Sequence, residues 1–321
     1  MTLNKASESY ISSKIRPLFI KTIYCLYHLS PFGFAYGAHK KLSTLTLKIK
    51  FYYFFFPSKK KNFLNEIEFL TNKSREDYPF SYVFPYPFTF EYDMNNIKVY
   101  TDDTNGLYYV IHDNKRIYYS RDFKTELEVQ RSCNYITTEQ DERSPHRYLD
   151  ASFNVEKGDV VIDIGAAEGN FSVEVVERAS ELYIFEHNDN WIEALNATFE
   201  PWKEKVHIIK KYVSDVDNDD ATTLDTLFKD KHIDFIKIDV EGAEMKILKN
   251  SKKVIDNNSS LKMAVCTYHK RRDAKVIKNT LLKYNFNCAF TDGYMLFTSK
   301  RIVPPYFRHG LIRAQKKVIA N

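Results

Sequence analysis

Short apolar runs and stretches of helical spacing alternate along the second half of the chain. Five mostly apolar runs have the length of buried strands, and they lie at residues 160–163, 182–185, 206–209, 235–238 and 263–266. Apolar residues with the spacing of one helix face lie between or after these runs, at residues 171–179, 191–199, 245–248 and 274–284. Strands that alternate with helices predict a mostly parallel sheet covered by helices on both faces, which is a doubly wound α/β fold.

Four segments of different composition divide the chain. They are a basic N-terminal extension, an aromatic-rich segment, a principal domain and a basic C-terminal tail, at residues 1–61, 62–143, 144–299 and 300–321. In the aromatic-rich segment, three β-rich runs separated by turn residues predict a small antiparallel meander between residues 97 and 119. At the end of the principal domain, residues 286–290 and 294–297 are predicted to form a hairpin about Asp292 and Gly293.

The charge of the chain is unevenly distributed. The net charge is +5 at pH 7, but residues 1–61 alone hold eleven Lys or Arg and one acid, a net charge of +10. Residues 62–321 hold 36 basic and 41 acidic residues, a net charge of −5. A mildly acidic principal domain argues against a nucleic-acid groove, so we expect no nucleic-acid partner.

Two interpretations of residues 1–61 remain open. Ile15, Leu18, Phe19 and Ile23 have the spacing of one helix face, and residues 51–56 are wholly apolar but too short to span a bilayer. The extension therefore either makes a peripheral membrane contact or packs, as a helix with solvated lysines, on the rest of the protein.

A cytoplasmic location is expected. Near the start of the chain, no compact apolar run precedes a small-residue cleavage site, so no secretory signal is predicted. The four cysteines, Cys25, Cys133, Cys266 and Cys288, are far apart and match no paired zinc spacing. They predict a reducing compartment rather than a disulfide framework.

A glycine turn follows the first predicted strand. Asp163-Ile-Gly165-Ala-Ala-Glu-Gly169 stands where a strand gives way to a helix that begins near Asn170. Gly165 permits a tight turn, and Gly169 permits a close approach of a ligand to the backbone. The spacing is neither the G-x-G-x-x-G of dinucleotide sites nor that of a P-loop. We predict a cofactor crevice here, with Asp163, Gly165, Gly169 and Asn170 among its residues.

Acids at the ends of the next strands extend this crevice. Glu186 ends the second strand, where a carboxylate can accept the hydrogen bonds of a ribose diol. Ser214 and Asp215 follow the third strand, where an adenine would lie, although Asp215 equally suits the start of an acidic turn. We predict that all three residues bind the cofactor.

The fourth and fifth strands end in carboxylates and an imidazole. Asp239 and Glu241 follow one strand and His269 follows the other. Groups that converge there would supply a general base or bind a hard cation such as Mg²⁺. Alternatively, Glu241 and Glu244 are first-turn acids favoured by a helix dipole, and Asp239 and His269 are helix caps.

The motifs VVIDIGAAEGNFS, YIFEHN, YVSD, TLDTLF, IKIDVEGAEMKIL and CTYH, in that order, resemble the FkbM family of methyltransferases over about residues 144–297. The resemblance implies a class I, Rossmann-like methyltransferase fold that ends in an antiparallel strand. It also implies S-adenosylmethionine as donor and usually a hydroxyl acceptor. By position, Gly165 and Gly169 would flank the methionine part of the donor, Glu186 the ribose, and Ser214 with Asp215 the adenine.

One residue departs from the family pattern. Glu168 stands where a small or amide residue is expected before the second glycine. A carboxylate that pointed inward would repel the donor's own carboxylate, so we expect Glu168 to point outward.

The leading hypothesis is O-methylation of a sugar hydroxyl on a glycan or glycolipid intermediate, as in polysaccharide biosynthesis. Asp239 and His269 are the candidate catalytic residues, with a metal between them as an alternative, and His146 and Glu241 are candidate substrate-binding residues. Two other functions stay open: a nicotinamide-dependent oxidoreductase, which the absent G-x-G-x-x-G disfavours, and a non-catalytic binding protein on the same fold.

Overall fold

A computed structural model describes residues 38–72, 83–296, 304 and 306–317. The chain divides into two compact units, Met1–Lys48 and Ile49–Asn321. The described part of the first unit is the beginning of helix α1, Ala38–Phe55. Most of the predicted extension, up to residue 37, lies outside the described residues. Its predicted boundary after residue 61 falls inside the second unit.

Short helices and a small sheet open the second unit. Helices α2 and α3 are Pro57–Lys60 and Leu64–Asn72, and 3-10 turns occupy Lys61–Phe63, Pro87–Glu91 and Met94–Asn96. The antiparallel strands β1, β2 and β3 are Val99–Thr101, Tyr108–His112 and Lys115–Tyr118. They form the meander that the sequence predicts.

Helix α4, Glu126–Glu139, follows the meander and was not predicted. Its start is fixed by a capping box, in which the Thr125 side chain accepts from the Glu128 amide and the Glu128 carboxylate accepts from the Thr125 amide. The T-x-x-E pattern at residues 125–128 is a helix-start signal that the sequence carries.

The principal domain alternates strands and helices as predicted. Its strands are β4 Val160–Ile164, β5 Glu181–Phe185, β6 Val206–Ile209, β7 Tyr212–Val213, β8 Ala221–Thr222, β9 Phe235–Ile238, β10 Lys262–Cys266, β11 Phe286–Phe290, β12 Met295–Leu296, β13 Phe307–Arg308 and β14 Leu311–Lys316. Its helices are α5 Asn170–Val175, α6 Asp189–Phe199, α7 Leu224–Phe228, α8 Glu244–Lys249, α9 Lys252–Asn257 and α10 Asp273–Lys283, with a 3-10 turn at Glu200–Trp202.

Seven strands form the central sheet in the order β11-β14-β10-β9-β4-β5-β6. Strands β10, β9, β4, β5 and β6 are parallel, and β14 is antiparallel to both of its neighbours. Successive side chains of a strand point to opposite faces, so Val161 and Ile162 belong to different apolar clusters. Burial on both faces is what a doubly wound sheet requires, and the predicted fold class is confirmed.

The predicted hairpin of residues 286–297 does not form, and residues 311–316 do not belong to a tail. Strand β11 pairs with β14, and β12 pairs with β13, so residues 311–316 form an inner strand rather than part of a tail. The cationic Arg313 in β14 does not face solvent freely. Its guanidinium donates to the carbonyl oxygens of Arg147, Tyr148 and Leu149 at 2.7, 3.1 and 3.0 Å. Because these carbonyl oxygens accept from the guanidinium, the positively charged Arg313 can lie within the sheet.

The parallel strands end together at one edge of the sheet. Ile164 pairs with Ile238 on one side and with Phe185 on the other, and Phe185 pairs with Ile209. Loops that follow these residues therefore share one crevice, where ligands of open α/β sheets bind. None of the helices in the described part of the chain has the length and apolar character needed to cross a membrane.

Candidate active site

The glycine turn, residues 163–169, lies at this edge between β4 and α5. Gly165 has a φ of +79°, and a Cβ added to it would lie 1.9 Å from the Asp239 carbonyl oxygen. Glycine is therefore required for the ends of β4 and β9 to approach each other. Gly169, at φ +80°, precedes α5, and an added Cβ would lie 2.8 Å from the Leu195 side chain. Glycine is therefore needed at position 169 for close contact with helix α6 rather than for the approach of a ligand.

Glu186 fastens the glycine turn to the end of β5. One oxygen of its carboxylate accepts from the Ala167 amide at 3.1 Å, and the other accepts from the His187 and Asn188 amides at 2.8 and 2.9 Å. These bonds hold Ala167 at φ +48°, a conformation that non-glycine residues rarely adopt. Two carboxylate oxygens offer about four acceptor directions. The three amide bonds use all but one of them, so one acceptor direction remains for a ligand.

Ser214 and Asp215 follow β7, which pairs with β8 in a separate two-stranded sheet. The Ser214 hydroxyl donates to the Asp215 carboxylate at 3.0 Å, and this hydrogen bond is the main cause that lowers the pKa of Asp215. Ahead of them, the Tyr212 ring stacks on the His187 ring with 3.9 Å between their centroids. This stacking joins the loop after Glu186 to the strand that precedes Ser214 and Asp215.

Asp163 lies beneath the turn and not in the crevice. Its side chain is fully buried, accepts from the Ser172 hydroxyl at 2.7 Å and lies 3.0 Å from the Lys237 ammonium. Burial alone would lower the pKa of Lys237, but the Asp163 and Asp239 carboxylates outweigh it and raise that pKa. Lys237 also donates to the Gly165 carbonyl at 2.6 Å. The structure gives Asp163 a supporting role, whereas Asn170, at the start of α5, is half-buried.

Asp239 is the centre of the catalytic residues that the sequence predicts. Its carboxylate accepts from the Tyr148 hydroxyl at 2.8 Å, and the Tyr268 hydroxyl lies 3.5 Å away. The Nε2 atoms of His146 and His269 lie 3.7 and 3.5 Å from its two oxygens. Burial would raise the pKa of Asp239, but His146, Lys237 and His269 together lower it. Asp239 is therefore an ionised carboxylate at neutral pH.

Each of the two histidines is backed by a glutamate. His269 Nδ1 lies 2.7 Å from the Glu244 carboxylate, which is 1% exposed, and His146 Nδ1 lies 3.2 Å from the Glu139 carboxylate. Burial would lower the pKa of the fully buried His146, but Glu139 and then Asp239 raise it. Glu139, His146, Asp239, His269 and Glu244 form one continuous series, which we call the acid–imidazole chain. Each ring has a glutamate carboxylate near Nδ1 and the Asp239 carboxylate near Nε2, and Nε2 of His146 also lies 3.4 Å from the Cys266 sulfur.

Glu244 is an acid in the first turn of α8, as one alternative predicted, but the predicted helix caps at Asp239 and His269 are wrong. The residue before α8 is Ala243 and the residue before α10 is Arg272, and neither helix has a side-chain cap. Glu244 accepts from the Gly242 amide at 3.1 Å, and its carboxylate lies 2.7 Å from His269 Nδ1. Glu241, a predicted substrate-binding residue, is exposed at φ +49° on the turn before α8.

The prediction that Glu168 points outward is wrong. Glu168 is 7% exposed, and burial, followed by the charge of Glu139, raises its pKa to about 7. It lies near enough to Tyr119 and Cys133 for its charge to raise the pKa of both. Cys133 belongs to α4, the helix that was not predicted, and the packing of this helix explains why Glu168 is buried.

Four residues of the site and one contact of Glu244 were not identified from the sequence. They are Glu139, Tyr148, Lys237, Tyr268 and the contact of Glu244 with His269. The capping box of α4 was an available signal for the helix that carries Glu139. No local signal identified Tyr148, which reaches Asp239 across 91 positions of sequence.

Among the residues that the structure describes, two overlapping groups have the chemistry of metal ligands. Asp239, Glu244 and His269 form one group, and His146, Asp239 and Cys266 form the other, with ligand atoms within 4.8 Å of one another. In the first group, both ring nitrogens of His269 face carboxylates, Glu244 at 2.7 Å and Asp239 at 3.5 Å. An imidazole between two carboxylates can hold a proton on each ring nitrogen. A metal bound to His269 would have to displace the contact with Glu244 or the contact with Asp239.

The amino-acid sequence of this domain matches a known protein family. Residues 123–288, slightly more than half of the chain, match the methyltransferase FkbM domain. Among curated proteins, none matches the chain significantly. The methyltransferase FkbM from Methylobacillus flagellatus KT is a structural neighbour with 16% identity and a TM-score of 0.44. The similarity covers 59% of this chain and 52% of that one, so this chain spans about half of its length.

Two further solved structures are similar to part of the chain. Precorrin-6y C5,15-methyltransferase from Geobacter metallireducens GS-15 has 15% identity and a TM-score of 0.36, over 51% of this chain and 83% of that one. A Streptococcus mutans protein assigned as a methyltransferase and solved in complex with SAH has 15% identity and a TM-score of 0.35, over 51% and 91%. With the sheet order and the family match together, the chain belongs to the FkbM methyltransferase family and has a class I methyltransferase fold.

Proposed function

We propose that the protein is an S-adenosylmethionine-dependent O-methyltransferase that acts on a sugar hydroxyl of a glycan or glycolipid intermediate. The observation that carries the proposal is the ionised Asp239 held between two glutamate-backed imidazoles, directly beside the glycine turn. Family membership supports methyl transfer. The resemblance described above supports a hydroxyl acceptor.

The donor would be held by the crevice between the glycine turn and Glu186. Glu186 is already oriented by three amide donors, so its remaining acceptor direction would take one ribose hydroxyl without the cost of ordering a free side chain. Ser214, Asp215 and the Tyr212 ring would surround the adenine. When bound, S-adenosylmethionine supplies a sulfonium methyl group to an oxygen nucleophile and leaves as the neutral thioether.

The acid–imidazole chain would remove the proton from the acceptor hydroxyl. As the hydroxyl oxygen forms its bond to the methyl carbon, the proton must pass to a base within hydrogen-bond reach. Asp239 and His269 are the candidates, because their side chains are 17% and 9% exposed. His146 is fully buried, which makes it a positioning residue that holds Asp239 rather than a direct contact of the acceptor.

The first experiment tests the donor site. Glu186→Gln should weaken the binding of S-adenosylhomocysteine, measured by calorimetry, by about 1–3 kcal/mol, the scale of a hydrogen bond to a charged group. Exposed Glu204→Gln is the matched control. Titration with NAD in the same instrument addresses the oxidoreductase alternative. Tight NAD binding with no response to S-adenosylhomocysteine would refute the proposal.

The second experiment tests catalysis. Asp239→Asn and His269→Ala should each lower transfer of labelled methyl to glycan acceptors by roughly a hundredfold or more, the scale for a lost acid–base group. Donor binding should persist in both variants. Asp230→Asn and His232→Ala, whose side chains are 86% and 63% exposed, are the matched controls. Full transfer by both site variants would contradict the assignment and favour a binding protein or another base.

The third experiment tests a metal requirement. If Asp239 and His269 hold Mg²⁺, a chelator should abolish transfer and added magnesium should restore it. If the acid–imidazole chain carries a proton, as the contacts of His269 favour, the chelator should leave the rate unchanged.

A further inference from the structure

One face of helix α1 in the second unit is packed against the protein and the opposite face is not. Ile49 and Tyr53, one helical turn apart, are 0% and 1% exposed. The Tyr53 ring lies 5.6 Å from Phe63 and 6.2 Å from Phe307, measured between centroids. The end of α1 is thereby anchored on the folded body of the second unit.

The outer face of the same helical turns is aromatic. Phe51, Phe54 and Phe55 are 45%, 76% and 48% exposed. Phe55 touches the rings of both Phe51 and Phe54, with centroid distances of 4.9 and 5.2 Å. At 100° per residue, these three side chains cover one side of the helix, opposite to Ile49 and Tyr53. We call this group the phenylalanine patch. A cluster of exposed large apolar side chains marks an interaction surface.

The charged residues that adjoin the phenylalanine patch in sequence are all positive. Between Ile49 and Asn65 the charged residues are Lys50, Lys59, Lys60 and Lys61, with no Asp or Glu. All four lysines are exposed. Aromatic side chains flanked by lysines have the composition of elements that lie in the interface of an anionic bilayer, where rings enter the headgroup region and ammonium groups meet lipid phosphates.

We infer that the phenylalanine patch and its flanking lysines dock on an anionic lipid surface. Charge complementarity selects this occupant over an uncharged apolar partner. Because Tyr53 is anchored on the folded body, the helix is already ordered before the patch meets a membrane, so binding carries no cost for folding the helix. The inference goes beyond the proposed methyl transfer, since the patch contains none of the residues of the acid–imidazole chain or the glycine turn.

The test uses the full-length protein and sedimentation with vesicles. The probes are phosphatidylcholine vesicles with and without phosphatidylglycerol, at low and at high salt. Binding is expected to the anionic vesicles only and to weaken with salt, because exposed charges are screened beyond a Debye length of about 10 Å at 0.1 M. Failure of the wild-type protein to bind anionic vesicles at low salt would overturn the inference.

Variants assign binding to the patch. Replacing Phe51, Phe54 and Phe55 together by Ser, or Lys59, Lys60 and Lys61 together by Glu, should each lower the vesicle partition coefficient by roughly tenfold or more. Circular dichroism confirms folding. The matched controls are Ile111→Ser, 55% exposed on β2, and a triple Lys→Glu variant at the exposed residues 157, 229 and 253.

Each outcome decides the inference. Loss of binding in both patch variants with normal binding in both controls supports it. Unchanged binding in the patch variants would assign the membrane contact elsewhere and overturn it. If the wild type ignores vesicles but forms dimers that the Phe→Ser variant abolishes in analytical ultracentrifugation, the occupant is a second copy. If the Phe→Ser variant instead unfolds at lower urea concentration than wild type, the chain itself covers the patch. Normal donor binding throughout keeps this result separate from the proposed function.

Discussion

Glu168 provides a direct test of the electrostatics of the site. Glu168→Gln keeps the size of the side chain and removes its ability to ionise. In the folded protein, burial raises the pKa of Glu168 from 4.5 to about 7. The folded state therefore keeps the proton that the unfolded chain loses near pH 4.5. The stability from this group is fully present below pH 4.5 and is lost as the pH rises through about 7.

The size of this effect follows from the pKa. One pKa unit corresponds to about 1.4 kcal/mol, so a rise from 4.5 to about 7 amounts to about 3 kcal/mol of unfolding free energy lost by pH 8. The Gln variant lacks this loss. It should match the wild type near pH 4.5 and exceed it by about 3 kcal/mol at pH 8. The raised pKa of His146 gives a further loss in the same direction, but both proteins contain it.

Urea denaturation measures the difference. Fluorescence of Trp191 and Trp202 follows unfolding at several pH values between 4.5 and 8, and linear extrapolation gives the unfolding free energy. Exposed Glu204→Gln is the control and should track the wild type at every pH. A Glu168→Gln variant whose advantage over the wild type stays constant with pH would refute the reasoning, because a size or packing effect does not titrate.

Two further predictions concern the support of the site. Gly165→Ala should fail to fold or lose most of its stability, because the new Cβ would lie 1.9 Å from the Asp239 carbonyl oxygen; circular dichroism melting checks this, and a native melt would contradict the packing argument. Lys237→Met should cost about 3–5 kcal/mol in urea unfolding, because it leaves the Asp163 carboxylate buried without its cation. Adding Asp163→Asn should recover part of that loss, and strictly additive losses would show that the two groups are not coupled.

The sequence by itself determined the alternation of strands and helices between β4 and α10 and the position of the glycine turn. These features depend on local patterns, namely apolar periodicity and the backbone freedom of glycine. It also brought Glu186, Asp239 and His269 to one crevice, because the carboxyl ends of parallel strands share one edge of a sheet. It left open alternatives such as helix capping by Asp239, because the apolar periodicity of a sequence does not show where a polar side chain points.

Only the tertiary structure decided what surrounds those groups. Residues 311–316, expected in a tail, pair between β10 and β11, and Arg313 there binds the carbonyl oxygens on either side of Tyr148. That contact places Tyr148 and, through the same segment, His146 against Asp239. Helix α4 likewise buries Glu168 against expectation. Charge and burial at a site are set by segments distant along the chain, so local sequence identified the reacting groups and long-range packing set their electrostatic environment.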